Sequence, residues 1–266
     1  MIRSIHAELL KLTRPRVVAV WLLVTTVFVA GLTAVGILTA AESPSGGPSS
    51  EPFGGLSVPG LADAGGGTAV FVQTAGFGTV FLLAVFVATI AGELTRGTFR
   101  TMLLQQPARG RVLAGKVAAL VGFTAALTLH AEAVAWVTAR LLAPVKGIDA
   151  AAWSTIDGLA AAGSDYGRMV VFVIGWAILG TLIGVLARSV PIGVGIGLVW
   201  FGPVENVIAD GWTPAQEYFP GLVLRAIVSP DTAVISTSRA LATMTAYAAV
   251  ALGVTAIALR RRDVTA

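Results

Sequence analysis

The sequence predicts an all-α integral membrane protein, with six transmembrane helices, an N-terminal amphipathic helix at the interface and both termini in the cytoplasm. Three observations predict it. Asp, Glu, Lys and Arg make up 12 % of the 266 residues and hydrophobic types 56 %, whereas a soluble domain carries about 25 % charged residues, so there is too little charge to cover a water-facing surface. Uncharged runs long enough to cross a bilayer recur along the chain. Basic residues gather in alternate connections between those runs.

Residues 1–16 come first. Ile2, Ile5, Leu9 and Leu12 recur at helical spacing while Arg3, Glu8, Lys11 and Arg14 fall mostly elsewhere, the pattern of an amphipathic helix lying on membrane lipids with its cations near anionic headgroups. The remainder, 17–266, reads as one six-span domain. About 20 apolar residues at ~1.5 Å rise cross ~30 Å of hydrocarbon. Val17 to Ala41, Met169 to Ala187 and Ala240 to Leu259 each run about that far without a charge. No charge falls between Asp63 and Glu93, and because that stretch opens on Gly65–Gly67 its span is placed at about 69–92. Residues 117–142 are apolar except for His130, Glu132 and Arg140, and 189–209 except for Glu205, so both are read as spans. Basic residues ahead of the first span, with Thr39-Ala40-Ala41 after it, resemble a secretory signal. The apolar stretch is about twice the usual ~7–15 residues of such a signal, and it is read as a crossing.

The connections differ in character. Residues 42–67 are rich in Gly, Pro and Ser, a composition with little apolar surface to bury, and a flexible outer loop is expected there. Segments 144–167 and 210–238 carry Trp153, Trp212, Tyr218 and Phe219 among apolar residues, as interfacial segments do. With a cytoplasmic N-terminus, thirteen of the eighteen basic residues fall in inner segments and five (Arg140, Lys146, Arg168, Arg225, Arg239) in outer ones, beside nine acids. That bias sets the orientation. An even span count returns the C-terminus to the same side. The net charge of +4 and isoelectric point near 10.0 are accounted for by those basic loops, so no nucleic-acid partner is expected. The chain has no cysteine and only His6 and His130 as imidazoles, which excludes disulfides and thiolate metal sites and leaves little for a catalytic metal.

The long inner connection runs from Gly92 to Lys116. Glu93, Arg96 and Arg100 are spaced for one helical face, as are Phe99, Met102 and Leu103, until Pro107 ends the segment; a short amphipathic helix over 93–106 is expected. The pattern Glu93, Gly97-Thr98, Arg100, Leu103-Leu104, Pro107, Arg109 and Lys116 resembles the segment between the second and third spans of type-2 ABC exporter permeases. So do HAELLKL at His6 to Leu12, YFPG at Tyr218 to Gly221, and RRRDV at Arg260 to Val264. The resemblance runs from end to end of the chain, although the first outer loop is longer than the family's compact core pattern. It implies one half of a transmembrane dimer, built with a second permease copy or a paralogue. A separate ABC ATP-binding subunit would hold ATP and Mg²⁺, with no cofactor in this chain. The implied coupling residues are Glu93, Arg96, Thr98, Phe99, Arg100, Met102 and Leu103, with the N-terminal helix packed beside them in the plasma membrane.

Gly110 to Lys116 matches GxxxxGK, but Val117 stands where a phosphate loop needs Ser or Thr, and a membrane span follows instead of a soluble helix after a strand. No nucleotide site is expected in this chain. Gly193, Gly195 and Gly197 are read as small residues for close helix packing. Glu132 and Glu205 are ionisable groups inside spans, which cost several kcal/mol unless they meet a partner or water. Either they line a substrate path, for a cationic or amphipathic molecule, or they are structural, Glu132 pairing with a neighbouring span's Arg or simply neutral and Glu205 sitting at the outer end in water. His130 lies two residues before Glu132 and so on a different helix face. An intramembrane enzyme using Glu132 and His130, and a membrane anchor or sensor that transports nothing, are the alternatives to an exporter subunit.

Overall fold

The structure, a computed structural model, describes residues 2–42, 56–96, 109–230 and 233–261. Helix α1 (Ile2–Leu12) ends where the Thr13 hydroxyl donates to the Leu9 carbonyl at 2.7 Å, and Pro15 opens α2 (Pro15–Thr39), a position where its missing N–H costs nothing. Two short helices follow, α3 (Val58–Leu61) and α4 (Gly66–Gln73), then α5 (Ala75–Thr95) and α6 (Arg109–Leu142). Two 3₁₀ turns, Ala143–Lys146 and Ala151–Ser154, lead to α7 (Ile156–Ala187). Helix α8 (Val190–Val199) passes through a π-helical turn, Trp200–Val204, into α9 (Glu205–Gly211). The chain then forms α10 (Ala215–Tyr218), α11 (Pro220–Val228) and α12 (Thr237–Arg261). Among the described residues there is no strand beyond an isolated bridge between Ala41 and Ser57. Among the described residues six helical stretches are long and apolar enough to cross a membrane: Pro15–Thr39, Ala75–Thr95, Gly110–Lys146, Ile156–Ala187, Val190–Gly211 and Thr237–Leu259. The chain is an all-α, multi-pass membrane protein.

The helices depart from the uncharged runs in three places. Ahead of the second span, the helix breaks at Thr74, whose hydroxyl donates to the Phe71 carbonyl at 2.6 Å, so the span begins at Ala75 and residues near 69 belong to α4. The helix that holds the uncharged run from 169 begins earlier, at Ile156, because backbone hydrogen bonds continue through Asp157, Asp165 and Arg168 regardless of their charge. Residues 56–67 are also organised where composition reads as a flexible loop. Ser57 Oγ accepts from Gly60 N–H at 3.2 Å to start α3, and Trp153 Nε1 donates to the Leu61 carbonyl at 2.8 Å. Residues 43–55 lie outside the described residues.

The chain forms two compact units. The smaller one comprises residues 14–75 and 124–170. Its core gathers Ile37, Leu56, Leu61, Val70, Ala139 and Trp153, the last 1 % exposed. Truncating a buried Trp to Ala typically costs ~3–5 kcal/mol, so Trp153 is the main anchor of the segments between spans. The larger unit comprises residues 1–13, 76–123 and 171–266. One cluster packs Phe86, Leu120, Val173 and Ala177 with Leu12 at its edge, and a second packs Ile90, Leu113 and Val185 with Leu94 and Leu259. Trp176 is fully buried, edge-on to Phe201 with ring centroids 4.8 Å apart. Lipid offers apolar surface as readily as a neighbouring helix does, so close packing decides association. At Gly193 an added Cβ would come within 2.7 Å of Val87, and at Gly197 it would run into Leu83.

Candidate functional sites

Three buried polar centres stand out. The first, in the larger unit, is built on Lys116 in the early turns of α6. Its Nζ lies 3.0 Å from Glu8 Oε2 on α1 and is bonded to Glu93 Oε1 in the last turn of α5. Lys11 Nζ holds Glu8 Oε1 at 2.8 Å. Lys116 is 3 % exposed, so each partner is needed: removing one side of a buried pair leaves an uncompensated charge and costs ~3–5 kcal/mol. Burial pushes the Glu8 carboxyl up, but hydrogen bonds and charges from Lys11 and Lys116 outweigh it and hold the group below its ordinary value. The GxxxxGK segment is therefore helical throughout, within Arg109–Leu142, and its lysine is taken by two carboxylates.

The second centre is in the smaller unit. Glu132 on α6 is 6 % exposed, and its Oε2 is buried with no hydrogen-bond partner. Asp165 on α7, 8 % exposed, lies close enough for its charge to act on Glu132. Thr68 Oγ1 donates to Asp165 Oδ2 at 2.7 Å and Arg168 Nη1 to Oδ1 at 3.2 Å. His130 takes no part: its Nε2 is 2.9 Å from Thr26 Oγ1. Tyr166 donates its hydroxyl to the Ala125 carbonyl at 3.3 Å.

The third centre, in the larger unit, is Glu205. The π turn containing Pro203 delivers it fully buried at the start of α9. Its Oε1 accepts from Gly221 N–H at 3.4 Å and its Oε2 from Leu222 N–H at 3.2 Å, the free amides at the start of α11. A Cβ on residue 221 would collide with Glu205 Oε2, so the Pro220-Gly221 pair both opens the helix and makes room for the carboxylate. Glu205 is thus enclosed within the larger unit and bonded to the start of α11.

Of the residues singled out for coupling, Glu93 lies in the last turn of α5, bound to Lys116, and Arg96 just after the helix, exposed. Thr98, Phe99, Arg100, Met102 and Leu103 fall outside the described residues. Glu132 and Glu205 sit in different units, Glu205 bonded to two amides and Glu132 Oε2 with no hydrogen-bond partner. Thr68 and Asp165 were not singled out, and Glu8 and Lys116 were read only as members of motifs, not as partners of one another. Asp165 had a visible signal, since Asp165 and Arg168 are spaced three apart for one helix face; Glu8 and Lys116 meet only through the fold. No family profile, curated protein or solved structure matches the chain.

Proposed function

We propose that the chain is the membrane-spanning subunit of an ATP-driven exporter, of the type-2 ABC permease class that its motifs resemble. On this reading it lies in the plasma membrane with both termini cytoplasmic. It pairs with a second permease copy or a paralogue, and a separate ATP-binding subunit carrying ATP and Mg²⁺ drives it. The observation that carries the reading is the Glu8–Lys116–Glu93 cluster. It ties the N-terminal helix to the end of one span and the start of the next, the two flanks of segment 97–108. A segment anchored at both flanks to buried charges transmits a push to two membrane helices at once. Closure of the ATP-binding subunits shifts the permease between inward- and outward-open populations through that segment.

Docking energy is assigned to Phe99, Met102 and Leu103 as buried anchors. Rim charges such as Arg96 and Arg100 contribute ~0–1 kcal/mol each. The test is purification of the tagged chain from its native membranes, with measurement of co-purifying ATPase activity. An ATP-binding subunit is expected to accompany the wild type, and Phe99→Ala or Leu103→Ala to lower both its recovery and its ATPase rate roughly tenfold, the loss of ~1.4 kcal/mol of docking energy. Wild-type recovery and rate in both variants would overturn the reading.

A further inference from the structure

Among the described residues, a single one other than glycine has a left-handed backbone. Arg188, in the turn between α7 and α8, has φ 49°, a conformation that glycine adopts freely and an L side chain only under strain. The turn is held from outside. Thr95 Oγ1, at the end of α5, shares its one proton between the Arg188 and Ala91 carbonyls, both at 2.7 Å. The same corner holds a second cation. A Cβ built on Gly92 would come within 3.1 Å of Arg96 Nη2 and 3.7 Å of Val190 Cγ2, which sets the Arg96 guanidinium beside the first residue of α8, just past Arg188. Both arginines are exposed, and among the described residues neither side chain forms an ion pair or a hydrogen bond. Three stretches long and apolar enough to cross a membrane, Ala75–Thr95, Ile156–Ala187 and Val190–Gly211, end or begin here, so the corner falls at the depth of lipid headgroups.

We propose that Arg96 and Arg188 together form a binding site for a phosphate group. Each guanidinium presents a planar fork of donors that matches the oxygens of a phosphate, and two cations without an internal counter-charge select a group whose negative charge is uncompensated. The strained turn is thereby given a use: glycine at 188 would relieve the backbone but remove one of the two forks. The same chemistry has two sources, the headgroup of an anionic phospholipid and free inorganic phosphate, and the depth of the corner favours the lipid. As a rim charge Arg96 adds little to the docking of an ATP-binding subunit, and the site does not depend on the exporter reading. The proposed orientation decides only which leaflet supplies the lipid.

The experiment uses the full chain in neutral detergent micelles and reads the thermal midpoint. Separate arms are titrated with short-chain phosphatidylglycerol, with inorganic phosphate and, at matched ionic strength, with NaCl. A ligand that binds the folded state raises that midpoint with its concentration. The wild type is expected to show a saturable rise with phosphatidylglycerol or phosphate and none with NaCl. Arg96→Gln and Arg188→Gly should each raise the half-saturating concentration tenfold or more, while Arg16→Gln, which removes an exposed cation at the head of α2, should leave it unchanged. Arg188→Gly separates binding from folding: without ligand its midpoint should equal or exceed that of the wild type, because the strain is gone, although its response to ligand is weakened. Saturation by phosphatidylglycerol identifies a lipid headgroup, and saturation by phosphate alone a soluble anion. No saturable rise in either arm, an equal rise with NaCl, an unchanged half-saturation in either folded arginine variant, or a loss in Arg16→Gln as large as theirs overturns the site.

Discussion

Two carboxylates converge on Lys116 Nζ in a nearly closed environment, and this gives the charge cluster a defined acid limit. Glu8 is held below its ordinary value of 4.5. A carboxyl depressed on folding contributes stability that is present in full above the unfolded value and is lost as pH falls through the folded one. The difference in unfolding midpoint between wild type and Glu8→Gln is therefore expected to be constant from about pH 8 to 5 and to shrink only below about pH 4.5. A difference that instead shrinks on raising the pH from 5 to 8 contradicts the assignment. Lys116→Met, which strands both acids, should lower stability by ~3–5 kcal/mol. The sequence shows Lys116 as the end of a phosphate-loop look-alike and of the permease-like pattern, not as an ion-pair partner. Its role was not legible because Glu8 is brought to it by tertiary packing, through contacts such as Leu12 against the Phe86 cluster, and no local spacing records that.

Elements were legible in proportion to how much of their stabilisation is local. The amphipathic spacing of residues 2–12 and the proline at the head of α2 can be read directly, and both helices form there. Pro203 marks a disturbance in the fifth span, but the form it takes, a π turn that brings Glu205 to the start of α11, depends on amides contributed by Gly221 and Leu222. Helix α11 is held from both directions: Val223, Leu224, Ile227 and Val228 are buried, and its first amides are capped by a buried carboxylate. Hydrogen bonds to a charged group contribute ~1.5–3 kcal/mol, so Glu205→Ala is expected to destabilise by about that amount. Gly221→Ala should do so as well, by driving a Cβ into the carboxylate. Because both changes break one contact, their effects should be strongly non-additive in a double-mutant cycle. Additive losses in the thermal midpoint would mean that the carboxylate does not hold the helix.

At the scale of the whole chain, composition decides the class, because a bilayer-crossing helix needs an apolar run of about 20 residues whatever its partners. Six such helices form among the described residues. The uncharged runs do not reveal where a helix begins, as α7 begins at Ile156 ahead of Asp157, Asp165 and Arg168, since backbone hydrogen bonding ignores side-chain charge. Orientation rests on a different quantity, the thirteen basic residues on one side against five on the other, and it yields the last prediction. The chain has no cysteine, so single substitutions report position without a background. In intact cells an impermeant maleimide is expected to label Ser50→Cys, in the first outer connection, and to leave Gln105→Cys unlabelled until the membrane is permeabilised. Neither change alters a charge, so the bias that sets the topology is preserved. The reverse labelling places both termini and segment 97–108 outside, where no ATP-binding subunit reaches them, and removes the proposed exporter mechanism while leaving the helical fold intact.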